Sequence, residues 1–148
     1  MEFKKLNIND IDEIVSLRLK QLKDEGAVET FDLKPNLYDF YNKQLKGDEF
    51  AIFGAIENNK IIATGSLSFV YKPPYYNCPN GKIGLLSSMY VDNNYRRHGI
   101  ATKMLDLIVS YARENECSLI HITASKMGEF LYAKYGFIKK NNFMEYKL

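Results

Sequence analysis

The sequence is short of the residues that mark several protein classes. It has no Trp, two Cys and four Pro in 148 residues. A chain of this size does not need disulfides, and Cys78 and Cys117 sit in unrelated contexts. They read as free thiols of a reducing compartment. No apolar run approaches the roughly 18 residues of a membrane span. The N-terminal run Met1-Glu2-Phe3-Lys4-Lys5-Leu6 lacks the apolar core of a signal peptide. These absences favour a cytoplasmic protein with no membrane partner. A charge excess is missing too: the formal net charge is +2, too small to argue for a nucleic-acid partner. Metal-ligand spacing is also absent. Cys117 and His121 are four apart in an extended segment, about 13 Å, so no metal is expected.

What is present is ordinary for a globular protein, with 46% apolar and 26% charged residues. The length suits one domain with a sizeable core, residues 1–148. No internal repeat, low-complexity segment or linker divides it. Eleven Tyr bring apolar area plus hydroxyls that seek partners, which suits cleft walls.

The stretch Leu85–Ala112 organises the chain. An apolar strand pattern runs to Val91, a polar turn spans Asp92 to Arg97, and Gly99 opens a helix. Ala101, Met104, Leu105, Ile108 and Ala112 recur there at helical spacing. A strand, a basic glycine turn and a helix N-terminus together make an anion site, because free backbone N–H groups and the helix dipole face the turn.

The other elements follow from period and punctuation. Phe3 to Leu6 predicts a strand. Asn9 or Asp10 can cap a helix carrying Ile11, Ile14, Val15, Leu19 and Leu22, which Gly26 stops. A loop over 27–35 precedes a helix from Leu37 to Leu45. Phe50 to Glu57 and Ile61 to Val70 form a hairpin about Asn58-Asn59-Lys60. Tyr71 to Lys82, with three prolines, is a long loop. The central strand is Ile83 to Val91, and its helix ends near Asn115. Leu119 to Thr123 is a short strand, Ser125 caps a helix from Lys126 to about Lys134, and Gly136 ends it. Phe137–Lys139 and Phe143–Leu148 predict two closing strands. The expected architecture is α/β: a mixed central sheet of six to seven strands with helices on both faces.

Two runs carry a family resemblance. Tyr95-Arg96-Arg97-His98-Gly99-Ile100-Ala101 resembles the Gln/Arg-x-x-Gly-x-Gly/Ala acyl-CoA motif of the GNAT superfamily of N-acetyltransferases, through Arg96, Gly99 and Ala101. Leu131-Tyr132-Ala133-Lys134-Tyr135-Gly136-Phe137 resembles that family's Leu-Tyr-x-x-x-Gly-Phe element. The order of elements is similar over essentially the whole chain. The resemblance implies acetyl-CoA as cosubstrate. Its pyrophosphate would meet the backbone from Arg96 through Arg97, His98, Gly99, Ile100, Ala101 and Thr102, with Arg96, Arg97 and Lys103 as side-chain candidates. The pantetheine arm would lie along Met89, Tyr90 and Val91, with an oxyanion donor from near Met89. Ser125 stands near where the family often has an Asn that contacts the arm.

The implied reaction is direct acetyl transfer to a primary amine. No Cys with a nearby base suggests an acetyl-enzyme. Tyr132 occupies the position of the family's general acid, which protonates the leaving thiolate. An alkyl amine is mostly charged at neutral pH, so a base is required. The family's central-strand glutamate is missing here. His121 is the first candidate and Glu129 the second, set against a sheet-face histidine and a solvated helix carboxylate. The acceptor is a small-molecule or protein amine, walled by 26–36, 71–82 and 139–142. A homodimer through the C-terminal hairpin edge is compatible with this order. The rival classes are a non-catalytic acyl-CoA-binding or sensor domain and a protein-interaction module.

Overall fold

The computed structural model describes residues 1–148. Along β2 (Phe50–Glu57), Ala51, Phe53 and Ala55 are buried on one face and Phe50 and Ile52 on the other. A sheet buried on both faces needs helices on both. One face carries α1 (Ile11–Asp24) and α2 (Lys34–Gln44). The opposite face carries α3 (Ile100–Glu114) and α4 (Lys126–Tyr135). The buried stripe of α3 is Ile100, Met104, Leu105, Ile108 and Ala112, close to the stripe expected from spacing.

The sheet order is β1 (Glu2–Lys5), β2, β3 (Lys60–Tyr71), β4 (Lys82–Val91) and β5 (Leu119–Ile122). β1 to β4 pair antiparallel, and β5 joins β4 in parallel after the α3 crossover. Asn58 and Asn59 both take left-handed φ, 51° and 61°, which suits the tight hairpin between β2 and β3.

The sheet has five strands, not six to seven. Phe137–Lys139 and Phe143–Leu148 form no strand, and Ile138, Phe143, Met144, Tyr146 and Leu148 are exposed. Alternation marks a strand only where an edge accepts it, and β5 offers an edge just four residues long. Asp10 is the N-cap residue of α1, which begins at Ile11, but its side chain makes no cap bond to that helix. It accepts instead from Asn7 N, in a reciprocal capping box with Asn7 around a 3₁₀ turn over Ile8–Asp10. The end of α1 matches expectation: Gly26, at φ 83°, closes a Schellman arrangement with Gly26 N to Lys23 O and Ala27 N to Leu22 O.

Two buried phenols tie the layers together. The Tyr90 hydroxyl donates to Asp24 Oδ2 at 2.6 Å, and burial followed by that bond pushes its pKa up to about 12. Tyr132, 7% exposed on α4, is pushed up to about 12 by burial and then by the Glu25 charge. Unfolded, both would titrate near 10. Between those values the unfolded chain holds fewer protons than the folded one. The stability these phenols carry is therefore present below pH 10 and lost as pH rises toward about 12. Thermal melts should show Tm falling across that window, less steeply in Tyr90→Phe. Equal slopes in the two proteins would contradict the burial argument.

Candidate active site

The site begins with two breaks in β4. On one side, the ladder to β5 covers only Ile83–Leu86 against Leu119–Ile122. From Ser87 to Val91 that edge of β4 has no strand beside it. On the other side, the register to β3 slips: Ser66 opposes Ser87 and Thr64 opposes Tyr90, leaving Ser88 and Met89 against Gly65. This is a β-bulge, with Ser88 at φ 55°. The extra residue shifts the alternation by one. Leu86, Met89 and Val91 pack toward α3, while Tyr90 packs toward α1. Gly65 makes room for this. A Cβ there would lie 2.9 Å from Ile108 Cδ1 and 3.2 Å from Met89 Sδ. The Ser66 hydroxyl donates to Ser87 O at 3.0 Å, and Thr64 Oγ1 reaches Ser88 O at 3.4 Å, so side chains of β3 brace the irregular strand.

Beyond Val91 the chain enters the turn. Asp92 accepts from Asn94 N at 3.1 Å and caps a second 3₁₀ turn, Asn93–Tyr95. Arg97 and Gly99 are both left-handed, φ 65° and 76°. A Cβ on Gly99 would meet nothing within 4 Å, so the backbone conformation, not packing, asks for glycine. Lys103 N is the amide that bonds back to Gly99 O. The amides of Ile100, Ala101 and Thr102 lie in the unpaired first turn of α3 and suit an anion. Arg97, His98 and Gly99 are exposed beside them.

The basic side chains divide. Arg96 turns inward: its Nε donates to Val91 O at 2.9 Å, its guanidinium lies 5.5 Å from the Tyr90 ring centroid, and Nη2 stands 4.0 Å from Asp24. It shapes the turn. Lys103 lies over Phe3 of β1, 5.6 Å from the ring centroid. Arg97 is exposed and has no ion pair within the chain, which leaves its charge free. His98 Nδ1 is 3.2 Å from Tyr95 O, and its ring is exposed.

On α4, Ser125 caps the helix by accepting from Gly128 N at 3.2 Å. The Tyr132 ring packs edge-on to Phe137, centroids 5.6 Å apart. Its hydroxyl makes no bond within the chain and is not sealed from solvent, so its proton is available. His121 is exposed on β5, opposite Leu85. Leu85 is four strand positions from Met89, about 13 Å. Glu129 is engaged elsewhere: Lys139 Nζ donates to it at 2.7 Å and holds its carboxyl below the usual range. The 71–82 loop is not beside this site. It precedes β4, whereas the turn follows β4, a separation of about 30 Å along the strand. Asn80 ties it to Glu116 O and Ser118 Oγ at the far end of α3.

The residues that sequence reasoning missed lie on α1. Lys20 Nζ donates to Asp92 Oδ2 at 2.6 Å, Gln21 Nε2 to Met89 O at 3.1 Å, and Asp24 accepts from Tyr90. One helix end therefore grips β4 from Met89 to Asp92. A signal existed: Gln21 falls on the buried stripe with Ile14 and Leu17, and a polar side chain there must find a partner. Paired serines in a core strand, Ser87 and Ser88, likewise marked the bulge.

Comparisons with known proteins agree with this geometry. The acetyltransferase (GNAT) family pattern matches residues 12–137. Glucosamine 6-phosphate N-acetyltransferase 1 of Dictyostelium discoideum is 29% identical over 142 residues, covering 95% of this chain and 86% of that one. A predicted acetyltransferase of Clostridium acetobutylicum, solved with acetyl-CoA, is 36% identical with a TM-score of 0.94, over 99% of this chain and 95% of that one. A glucosamine-6-phosphate N-acetyltransferase of Arabidopsis thaliana, 21% identical, shares the fold at a TM-score of 0.77, over 99% of this chain and 97% of that one. An open central strand, a glycine turn at a helix N-terminus and a family pattern spanning most of the chain lead to one conclusion: this protein belongs to the GNAT acetyltransferase family and is an acetyl-CoA-dependent N-acetyltransferase.

Proposed function

We propose that this enzyme acetylates a primary amine of a small molecule by direct transfer, with the acyl group lying at the bulge of β4. The observation that carries this reading is the unpaired edge from Ser87 to Val91, which runs from the end of the β5 ladder toward the glycine turn. An extended amide-bearing arm can bond to such an edge as another strand would. The residues present fit the cosubstrate: Ile100, Ala101 and Thr102 offer first-turn amides to a pyrophosphate, Arg97 offers a charge, and the strand-free edge of β4 offers the Met89 and Val91 amides, the carbonyls of these two residues already accepting from Gln21 and Arg96.

In this reading the Met89 amide donates to the carbonyl oxygen as charge develops there. A preorganised donor of this kind is worth about 2.7–4 kcal/mol of barrier. Tyr132 supplies a proton to the leaving sulfur, and its raised pKa keeps it protonated until then. The acceptor enters from the α1–α2 side, past the exposed Val28 and Phe31. A small amine is favoured over a protein because the 29%-identical relative from Dictyostelium discoideum is a glucosamine 6-phosphate N-acetyltransferase.

Two measurements test the reading. Acetyl-CoA at a hundred times its Kd should stabilise the protein by about 2.7 kcal/mol, seen as a raised Tm. An unchanged Tm would favour an interaction module. A screen of primary amines with acetyl-CoA, reading free thiol, should find turnover that Tyr132→Phe lowers by about 10²–10⁴ with the acetyl-CoA Tm shift retained. A retained shift without turnover of any amine would favour a sensor domain.

A further inference from the structure

The reaction needs a group to take the proton of the acceptor ammonium, and the α1 end holds one beside the bulge. Gln21 is 4% exposed, and its amide is fully committed. Arg18 Nη1 donates to its Oε1 at 3.1 Å, which fixes the amide orientation. The Nε2 group then donates twice, to Met89 O and to Glu25 Oε1, each at 3.1 Å. A single buried amide thus bridges the Met89 carbonyl to the Glu25 carboxylate. Glu25 itself is fixed as the residue after α1, with its N–H donating to Gln21 O at 2.9 Å and the left-handed Gly26 following. Its side chain is exposed, so the carboxylate remains able to accept a second partner.

We propose that Glu25 is the proton acceptor for the incoming ammonium and that Gln21 is the positioning residue that holds it. This rests on the direct-transfer reading above and adds to it the acceptor class: an amine that arrives as a cation. His121, about 13 Å along the sheet from the acyl position, is not required. Two charged neighbours on α1 already have partners. Arg18 is bonded to Gln21. Asp24 is bonded to Tyr90 and lies beside Arg96. From α4 the facing group is the Tyr132 phenol, on which the Glu25 charge is felt.

The step balances. Glu25 takes one proton from R–NH3⁺ and passes it to water. The freed nitrogen lone pair forms the C–N bond at the acetyl carbon while the C–S bond breaks. The sulfur takes the Tyr132 proton, and the second nitrogen proton restores the phenol through Glu25. The products are the N-acetyl amine, CoA thiol and one released proton.

Glu25→Gln is the discriminating variant, because its Oε1 still accepts from Gln21 while the basic carboxylate is gone. Glucosamine 6-phosphate, spermidine and kanamycin are the probes, each with acetyl-CoA, reading thiol from about pH 6 to about pH 10. Glu25→Gln should lower kcat/KM by about 10²–10⁴ at neutral pH. The loss should shrink as pH approaches the pKa of the amine, and KM for acetyl-CoA should be unchanged. Glu25→Asp should retain part of the rate, and His121→Ala should match the unaltered enzyme. A pH-independent loss, or no loss, in Glu25→Gln overturns the proposal. A second readout needs no acceptor: the Tyr132 phenol, followed by NMR of labelled tyrosine, should titrate lower in Glu25→Gln. An unmoved Tyr132 overturns the placement of Glu25. If the unaltered protein turns over no probe, the small-amine reading fails, and the Tyr132 titration alone decides the placement.

Discussion

Everything at this site depends on β4 failing to be a regular strand. A central strand with partners on both sides has no backbone to give a ligand. β4 loses β5 after Leu86 and gains an extra residue at Ser88. The first break frees an edge. The second re-aims side chains, so that Met89 lies over Gly65 and Tyr90 reaches Asp24. Left-handed backbone at Ser88 and Arg97 costs about 1–3 kcal/mol per residue. Such strain persists only where surrounding contacts over-determine it.

Ser66 and Thr64 of β3 bond Ser87 O and Ser88 O, and α1 holds the residues that follow. Lys20, Gln21 and Asp24 hold Asp92, Met89 and Tyr90 in turn, and Arg96 closes the loop by bonding Val91 O beside Asp24. An exposed pair such as Lys20–Asp92 is worth little alone, about 0.2–1 kcal/mol. The buried Gln21 amide matters more, since removing Gln21 strands the Met89 carbonyl. The same helix end that holds the bulge of β4 also holds the glycine turn, through Asp92 and Arg96.

Local patterns in the sequence carried most of the architecture. The α3 stripe, the Asn58-Asn59 hairpin, the Gly26 stop and the Gly99 turn each follow from a few adjacent residues. The closing strands did not, because Phe143–Leu148 alternates like a strand yet finds no ladder partner. Strand existence depends on an edge far away in sequence. The same limit hid the proton acceptor. Glu25 reads as a solvated carboxylate at a helix end. Its meaning comes from Met89, 64 positions later, through the Gln21 amide. Conversely, Arg96 matches the motif, but its guanidinium is spent within the chain.

The central claim is that the freed edge of β4 and the first turn of α3 together hold the acyl donor. Backbone amide hydrogen exchange, followed with and without acetyl-CoA, tests it most directly. The account predicts new protection at Met89 and Val91, whose amides face the edge without a strand, and at Ile100 to Thr102, with β1 and β2 unchanged. Protection confined to the α3 turn, with Met89 and Val91 exchanging as fast as without acetyl-CoA, would contradict it.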